Sequence, residues 1–133
     1  MEDKTLHIGI TGELTKTVTE NLTAKAMGSG DLDVFATPAM IALVEETAWR
    51  SVADYLESGM GTVGTSLNIK HTAATPVGMR VTCTSTLVDI DRRRLKFEVV
   101  IIDECGEIGR GEHERFIVDN AKFQSKANSK AGV

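Results

Sequence analysis

No apolar run in the chain approaches membrane-spanning length, so a helical membrane protein is excluded and no membrane partner is expected. The opening Met1-Glu2-Asp3-Lys4 has neither the basic stretch nor the apolar core of a secretory signal, and a cytoplasmic location is expected. Cysteine is scarce. Cys83 and Cys105 show no CxxC pattern and no metal-like spacing, which points to two reduced thiols. Basic residues cluster only at Arg92-Arg93-Arg94, and the net charge is −4, so the footprint of a nucleic-acid binder is missing. There is no metal constellation, no glycine-rich phosphate loop and no G-x-S-x-G elbow, so neither a metal nor a cofactor is expected.

What is present is an ordinary globular composition, 41% hydrophobic and 26% charged over 133 residues, enough for one domain with a single core. The chain is organised around Val34-Phe35-Ala36-Thr37-Pro38 and a helix predicted from there to about Ser58. Pro38 suits the first helical position, where its missing N–H would be unpaired anyway. Thr37 is then the candidate N-cap. Ile41, Ala48, Trp49, Val52 and Leu56 fall on one side at a helical period, while Glu46, Arg50, Asp54 and Glu57 fall on the other. Glu45 breaks the pattern, because it sits in the apolar stripe where an unpaired carboxylate is costly. Either it reaches solvent at the stripe's edge or it has a partner elsewhere in the chain.

Before the helix, residues 5–23 read as extended, with Gly9 and Gly12 suggesting a bend, and residues 25–33 read as a loop. After it, Gly59-Met60-Gly61 ends the helix and four β-type runs follow. Thr62–His71 alternates, placing Val63, Thr65, Leu67, Ile69 and His71 on one face. Met79–Ile90, the Leu95-Phe97-Val99-Ile101 run and Ile108–Val118 are joined by short turns. Hairpin connections imply antiparallel pairing, and a single striped helix can bury its face only against the sheet. The expectation is an α+β domain over residues 1–123, one long helix wrapped by a curved five-stranded antiparallel sheet, with a polar, mobile tail over 124–133.

Three residues could carry proton-transfer and nucleophilic chemistry. His71 ends its strand on the apolar face, where a histidine is either a satisfied core residue or a proton-transfer group. A carboxylate such as Glu45 beside it would fix its tautomer and raise its basicity. Thr37 adds a hydroxyl that is nucleophilic only if a base takes its proton. Eight helical residues rise about 12 Å, so Thr37 and Glu45 meet only if the first turn folds back. Otherwise they serve different ends of the reacting unit. Gly64 marks a close approach, either as packing room or as a bare amide able to face an oxyanion. Gly109, Gly111 and Arg115 share a face of the last strand, and Phe116 lies on the other. His7 and His113 are read as surface histidines.

Phe35-Ala36-Thr37, Glu45, Thr62-Val63-Gly64-Thr65, His71-Thr72-Ala73-Ala74-Thr75-Pro76 and Gly111-Glu112-His113-Glu114-Arg115 together resemble the fluoroacetyl-CoA thioesterase-like family of hot-dog proteins, over about residues 34–123. The resemblance implies a hot-dog fold, a homodimer with sites near the subunit interface, and hydrolysis of an acyl-CoA thioester. It implies a catalytic Thr/Glu/His set at Thr37, Glu45 and His71, with substrate contacts at Val34, Gly64 and Arg115. The chain departs from the family in its lid, where Gly28 and Asp31 stand at the positions of phenylalanines, and in Pro38 after the threonine. The rival expectation is a non-catalytic acyl-CoA-binding module, which would typically lack the carboxylate or the histidine.

Overall fold

The computed structural model describes residues 5–132. Strand β1 (Thr11–Thr17) leads through a 3-10 turn (Glu20–Leu22) and a one-turn helix α1 (Ala24–Met27) into the long helix α2 (Thr37–Ala53). Strands β2 (Met60–His71), β3 (Arg80–Asp91), β4 (Arg94–Asp103) and β5 (Gly106–Asp119) follow, and helix α3 (Asn120–Ser129) closes the chain. The five strands form one antiparallel sheet in the order β1-β3-β4-β5-β2, which leaves β1 and β2 as its edges. The expected α+β architecture is present.

Helix α2 lies on the sheet through Ala39, Met40, Leu43, Val44, Thr47, Ala48 and Val52. They meet Val81, Cys83 and Leu87 of β3 and Leu95, Phe97, Val99 and Ile101 of β4, all buried. Each large apolar side chain so buried contributes about 1.5–3 kcal/mol. The buried face is therefore rotated from the predicted stripe. Ile41 and Leu56 are only half-buried, and Trp49 is 40% exposed. Two adjacent helical stripes are both largely apolar here, and the sheet takes the one carrying Met40, Leu43 and Val44. The helix also stops at Ala53, earlier than Ser58, and Gly59 at φ 82 makes the turn into β2.

Two further expectations change. Within residues 5–23 only Thr11–Thr17 forms a strand, with Gly9 at φ 102 turning the chain just before it. Residues 124–129 belong to α3, whose start is capped by Asp119 accepting from the Lys122 amide at 3.1 Å. Cys83 and Cys105 are both free thiols. Cys83 is buried, which pushes its pKa up to about 11 and keeps it protonated. No helix among the described residues is long and apolar enough to cross a membrane.

Candidate active site

The register of β2 determines which side chains face α2. Gly64 pairs with Arg115 and Ser66 with Glu114, so the ladder slips by one residue between Gly64 and Ser66. A bulge of this kind reverses the alternation along one strand. Thr62 and Gly64 therefore join Leu67, Ile69 and His71 on the helix side, a correction to the uninterrupted alternation that grouped Val63 and Thr65 with His71. The opposing β5 residues on that side are Gly109, Gly111, His113 and Arg115.

The first cluster sits at the start of α2. Helix α2 is capped by backbone at Ala36 without a side-chain hydrogen bond, and Thr37 is already the first helical residue. Its hydroxyl is thereby released from the capping role predicted for it and instead lies 2.8 Å from His71 Nδ1. Phe35 stands edge-on to the His71 ring, 6.4 Å between centroids. Phe35 is itself fixed by its amide donating to the Thr75 carbonyl at 2.8 Å. His71 Nε2 is buried and has no partner at hydrogen-bond distance among the described residues. Burial of the ring lowers the His71 pKa below the ordinary imidazole value, and the Ala73 backbone offsets this only in part. A neutral imidazole beside a hydroxyl can take a proton from it, the function the pair needs as base and nucleophile. A cavity of about 270 Å³ opens on the pair, lined also by Ala24, Ser29, Val34 and Ala74.

The second cluster lies two turns further along α2. Glu45 Oε2 accepts from Arg115 Nη1 at 3.2 Å, and no hydrogen bond holds Oε1 among the described residues. Arg115 is 5% exposed and fully committed inward. Its Nε donates to Thr62 Oγ1 at 2.8 Å, its Nη2 to the Thr62 carbonyl at 3.0 Å, and its Nη1 also to His113 Nε2 at 3.2 Å. His113 Nδ1 donates to the Ser66 carbonyl at 2.8 Å, which leaves Nε2 free to accept, and so defines a neutral ring. Burial, more than any neighbour, lowers the His113 pKa, and Arg115 adds to the effect. Burial also lowers the Arg115 pKa, against the raising effect of Glu45. Gly64 completes the cluster, since a Cβ there would stand 2.5 Å from Glu45 Oε2.

The structure thus groups Thr37, His71 and Val34 at one place and Glu45, Gly64 and Arg115 at another. It does not join Glu45 to His71. Helix α2 is regular from Thr37 onward, so the first turn does not fold back and the helical rise separates Thr37 from Glu45 by about 12 Å. The partner of Glu45 is Arg115. The side chain of Glu45 is 40% exposed, so its carboxylate is anchored at one oxygen and reaches solvent at the edge of the stripe.

His113 is the residue the sequence reading missed. It is fully buried, stacked on Phe97 at 6.1 Å between centroids, and it supports Arg115 from below. The signal was there in the alternation Gly109, Gly111, His113, Arg115, which puts His113 on the inward face. Thr62, which takes two of the Arg115 hydrogen bonds, had no signal beyond its place on the bulged strand. The strand glycines serve packing: a Cβ on Gly109 would meet Met40 Sδ at 3.0 Å, and Gly111 makes room for the backbone of β2.

One long helix wrapped by five antiparallel strands is the architecture of a hot-dog protein, here with a hydroxyl–imidazole pair at the helix start and an anchored carboxylate along it. A model of the fluoroacetyl-CoA-specific thioesterase family, FlK, matches residues 18–121, and the chain belongs to that family. It is 44% identical over 98 residues to the fluoroacetyl-CoA thioesterase of Streptantibioticus cattleyicolor, covering 74% of this chain and 70% of that protein. The solved structure of the fluoroacetyl-CoA thioesterase FlK superposes with a TM-score of 0.88 at 35% identity, over 94% of this chain and 97% of that one. A hot-dog-like protein from Thermanaerovibrio acidaminovorans, at 20% identity, shares the fold with a TM-score of 0.84 over 92% of this chain and 91% of its own.

Proposed function

We propose that this protein hydrolyses acyl-CoA thioesters to free acid and CoA as a homodimer. The observation that carries the reading is the 2.8 Å contact between Thr37 Oγ1 and His71 Nδ1 at the wall of a cavity, with the ring biased toward its neutral form. In the tautomer protonated at Nε2, Nδ1 accepts the Thr37 proton and leaves an oxygen nucleophile facing the cavity. Val34 lines the same cavity, which places it to meet an acyl thioester there. Glu45 supplies the second proton-transfer group. Arg115 holds one of its oxygens, so the other is aimed without the carboxylate being free to rotate, as activation of a water requires. Arg115 acts as a positioning residue, because its donors are already engaged by Thr62, Glu45 and His113. The bulge at Gly64 leaves a bare stretch of backbone beside Glu45, suited to an acyl oxygen that gains charge in the tetrahedral intermediate.

Dimerisation is supported by β2. Its twelve residues form a free edge with Leu67 39% exposed, and such an edge invites pairing. A two-fold axis across β2 would set the Met60 end of one strand beside the His71 end of its copy, because an isologous strand pair is antiparallel. Glu45 and Gly64 of one protomer would then approach Thr37 and His71 of the other, which answers the separation within one chain.

The test is a free-thiol release screen over short, branched and aromatic acyl-CoAs, with mass determined by light scattering at assay concentration. Catalytic release of CoA from a dimer supports the reading. Saturable acyl-CoA binding without turnover would favour the binding-module alternative, and a fully active monomer would remove the two-fold component.

A further inference from the structure

Helix α3 closes an acidic chain with a basic segment. Between Asn120 and Lys130 the chain has three lysines and no acidic residue, in a protein whose net charge is −4. Lys122, Lys126 and Lys130 recur every fourth residue, so they line one side of the helix over about 12 Å. None has an ion-pair partner among the described residues, and every residue of α3 is exposed. Phe123 stands beside the stripe with 47% of its surface exposed. It lines a depression of about 220 Å³ with Lys126, Ala127 and Lys130. An aromatic face flanked by ammonium groups is a receptor for a base attached to phosphates.

The helix is also continuous with the candidate site. Asn120, its first residue, packs over Gly61 and shares a cavity of about 250 Å³ with Trp49, Leu56, Met60 and Thr62. Thr62 Oγ1 in turn accepts from Arg115, which holds Glu45. Thr62 thus links the cavity at the base of α3, through the Arg115 side chain, to the anchored carboxylate. The match to the family ends at residue 121, before the first of these lysines.

We propose that the Lys122-Lys126-Lys130 stripe and Phe123 form the binding site for the 3′-phosphorylated ADP portion of CoA. This rests on the acyl-CoA reading of the site. The ammonium groups meet the 3′-phosphate and the diphosphate as point charges, and the Phe123 ring takes the adenine face. The pantetheine arm then runs past Asn120 and Thr62 toward the reacting carbonyl. Charge complementarity selects this occupant over an apolar partner, since Phe123 is the single large apolar side chain on the helix.

The experiment compares one acyl group carried on CoA and on pantetheine, which lacks the nucleotide, using wild type and a Lys122→Gln/Lys126→Gln/Lys130→Gln variant. Glutamine keeps helix propensity close to that of lysine, and circular dichroism checks that the helix remains. The variant is expected to raise KM for the acyl-CoA by roughly tenfold, a change of about 1.4 kcal/mol. The KM ratio of the acyl-pantetheine to the acyl-CoA should collapse toward one. Raised salt should weaken acyl-CoA binding in wild type and have little effect in the variant. Calorimetric titration with CoA gives a readout that needs no turnover, and the same loss of affinity is expected there. An unchanged CoA affinity and an unchanged KM ratio would overturn the proposal while leaving hydrolysis intact. A shift in oligomeric mass in place of KM would assign the stripe to a protein contact and overturn it as well. CoA bound with lysine dependence but no hydrolysis of either thioester would keep the nucleotide site and remove the hydrolytic reading.

Discussion

Gly64→Ala is the smallest change that should disable the carboxylate cluster. The added Cβ would lie 2.5 Å from Glu45 Oε2, 3.3 Å from Arg115 Nη1 and 3.4 Å from His113 Cε1. Arg115 is held by Thr62 at two atoms and His113 is buried under it, so the carboxylate is the group that yields. Restoring ordinary contact moves it by about 1 Å, a displacement that can cost on the order of 10²-fold in rate when a reacting group is misplaced. Backbone strain does not enter, because Gly64 is not among the positive-φ glycines. Folding should survive with a loss of about 1–3 kcal/mol, the usual cost of one extra methyl group in a packed site. The assay is kcat/KM for thiol release alongside thermal unfolding. A variant within threefold of wild-type activity would refute the claim that Gly64 exists to seat Glu45.

Other outcomes follow from the same geometry. Glu45→Gln should lose about 10²–10⁴-fold in turnover, whereas Glu46→Gln, whose carboxylate is tied to Lys16 and Arg50 at the surface, should keep it; equal effects in a side-by-side assay would contradict the assignment. Activity should fall on the acid side with a midpoint below the ordinary imidazole value of 6.5, because the neutral His71 ring is the active form. The half-buried ring of His71 and the buried ring of His113 both have lowered pKa values, so as pH drops below about 6.5 the unfolded chain takes up those protons first and stability drains away; unfolding free energies flat from pH 7 to 5 would contradict this. The α1 segment and the loop after it carry no aromatic side chain, so preference for fluoroacetyl-CoA over acetyl-CoA should stay below roughly 200-fold in kcat/KM. Ser29→Phe is the cleaner probe of a missing lid, since Ser29 lines the cavity while Gly28 sits at φ 75, where a phenylalanine would be strained.

Local pattern was a good guide to the elements and a poor one to what they touch. Pro38, the glycine-free run after it and the alternating strands located α2 and the sheet, because capping and periodicity are short-range properties. The sequence pattern draws attention to Glu45, but its partner is Arg115, seventy residues away, and only the β2–β5 register brings them together. The bulge at Gly64 had no unambiguous mark in the sequence, and it alone turns Thr62 and Gly64 inward. His113 reads as a surface histidine in the sequence, although strand alternation separates its face from that of Glu112 and Glu114. Helix α3 is not announced by its sequence, because Phe123 is its single large apolar side chain and no apolar stripe forms.

The most direct measurement is CoA release from one acyl-CoA by wild type, Thr37→Ala and His71→Ala at matched concentration, with the acid product quantified. Wild type should release CoA and free acid in equal amounts over many turnovers. His71→Ala should be slower by about 10²–10⁴-fold, with Thr37→Ala impaired alongside it. Acyl-CoA bound but never cleaved by wild type, or cleavage that His71→Ala leaves unchanged, would contradict the assignment of the Thr37–His71 pair as the centre of a thioesterase.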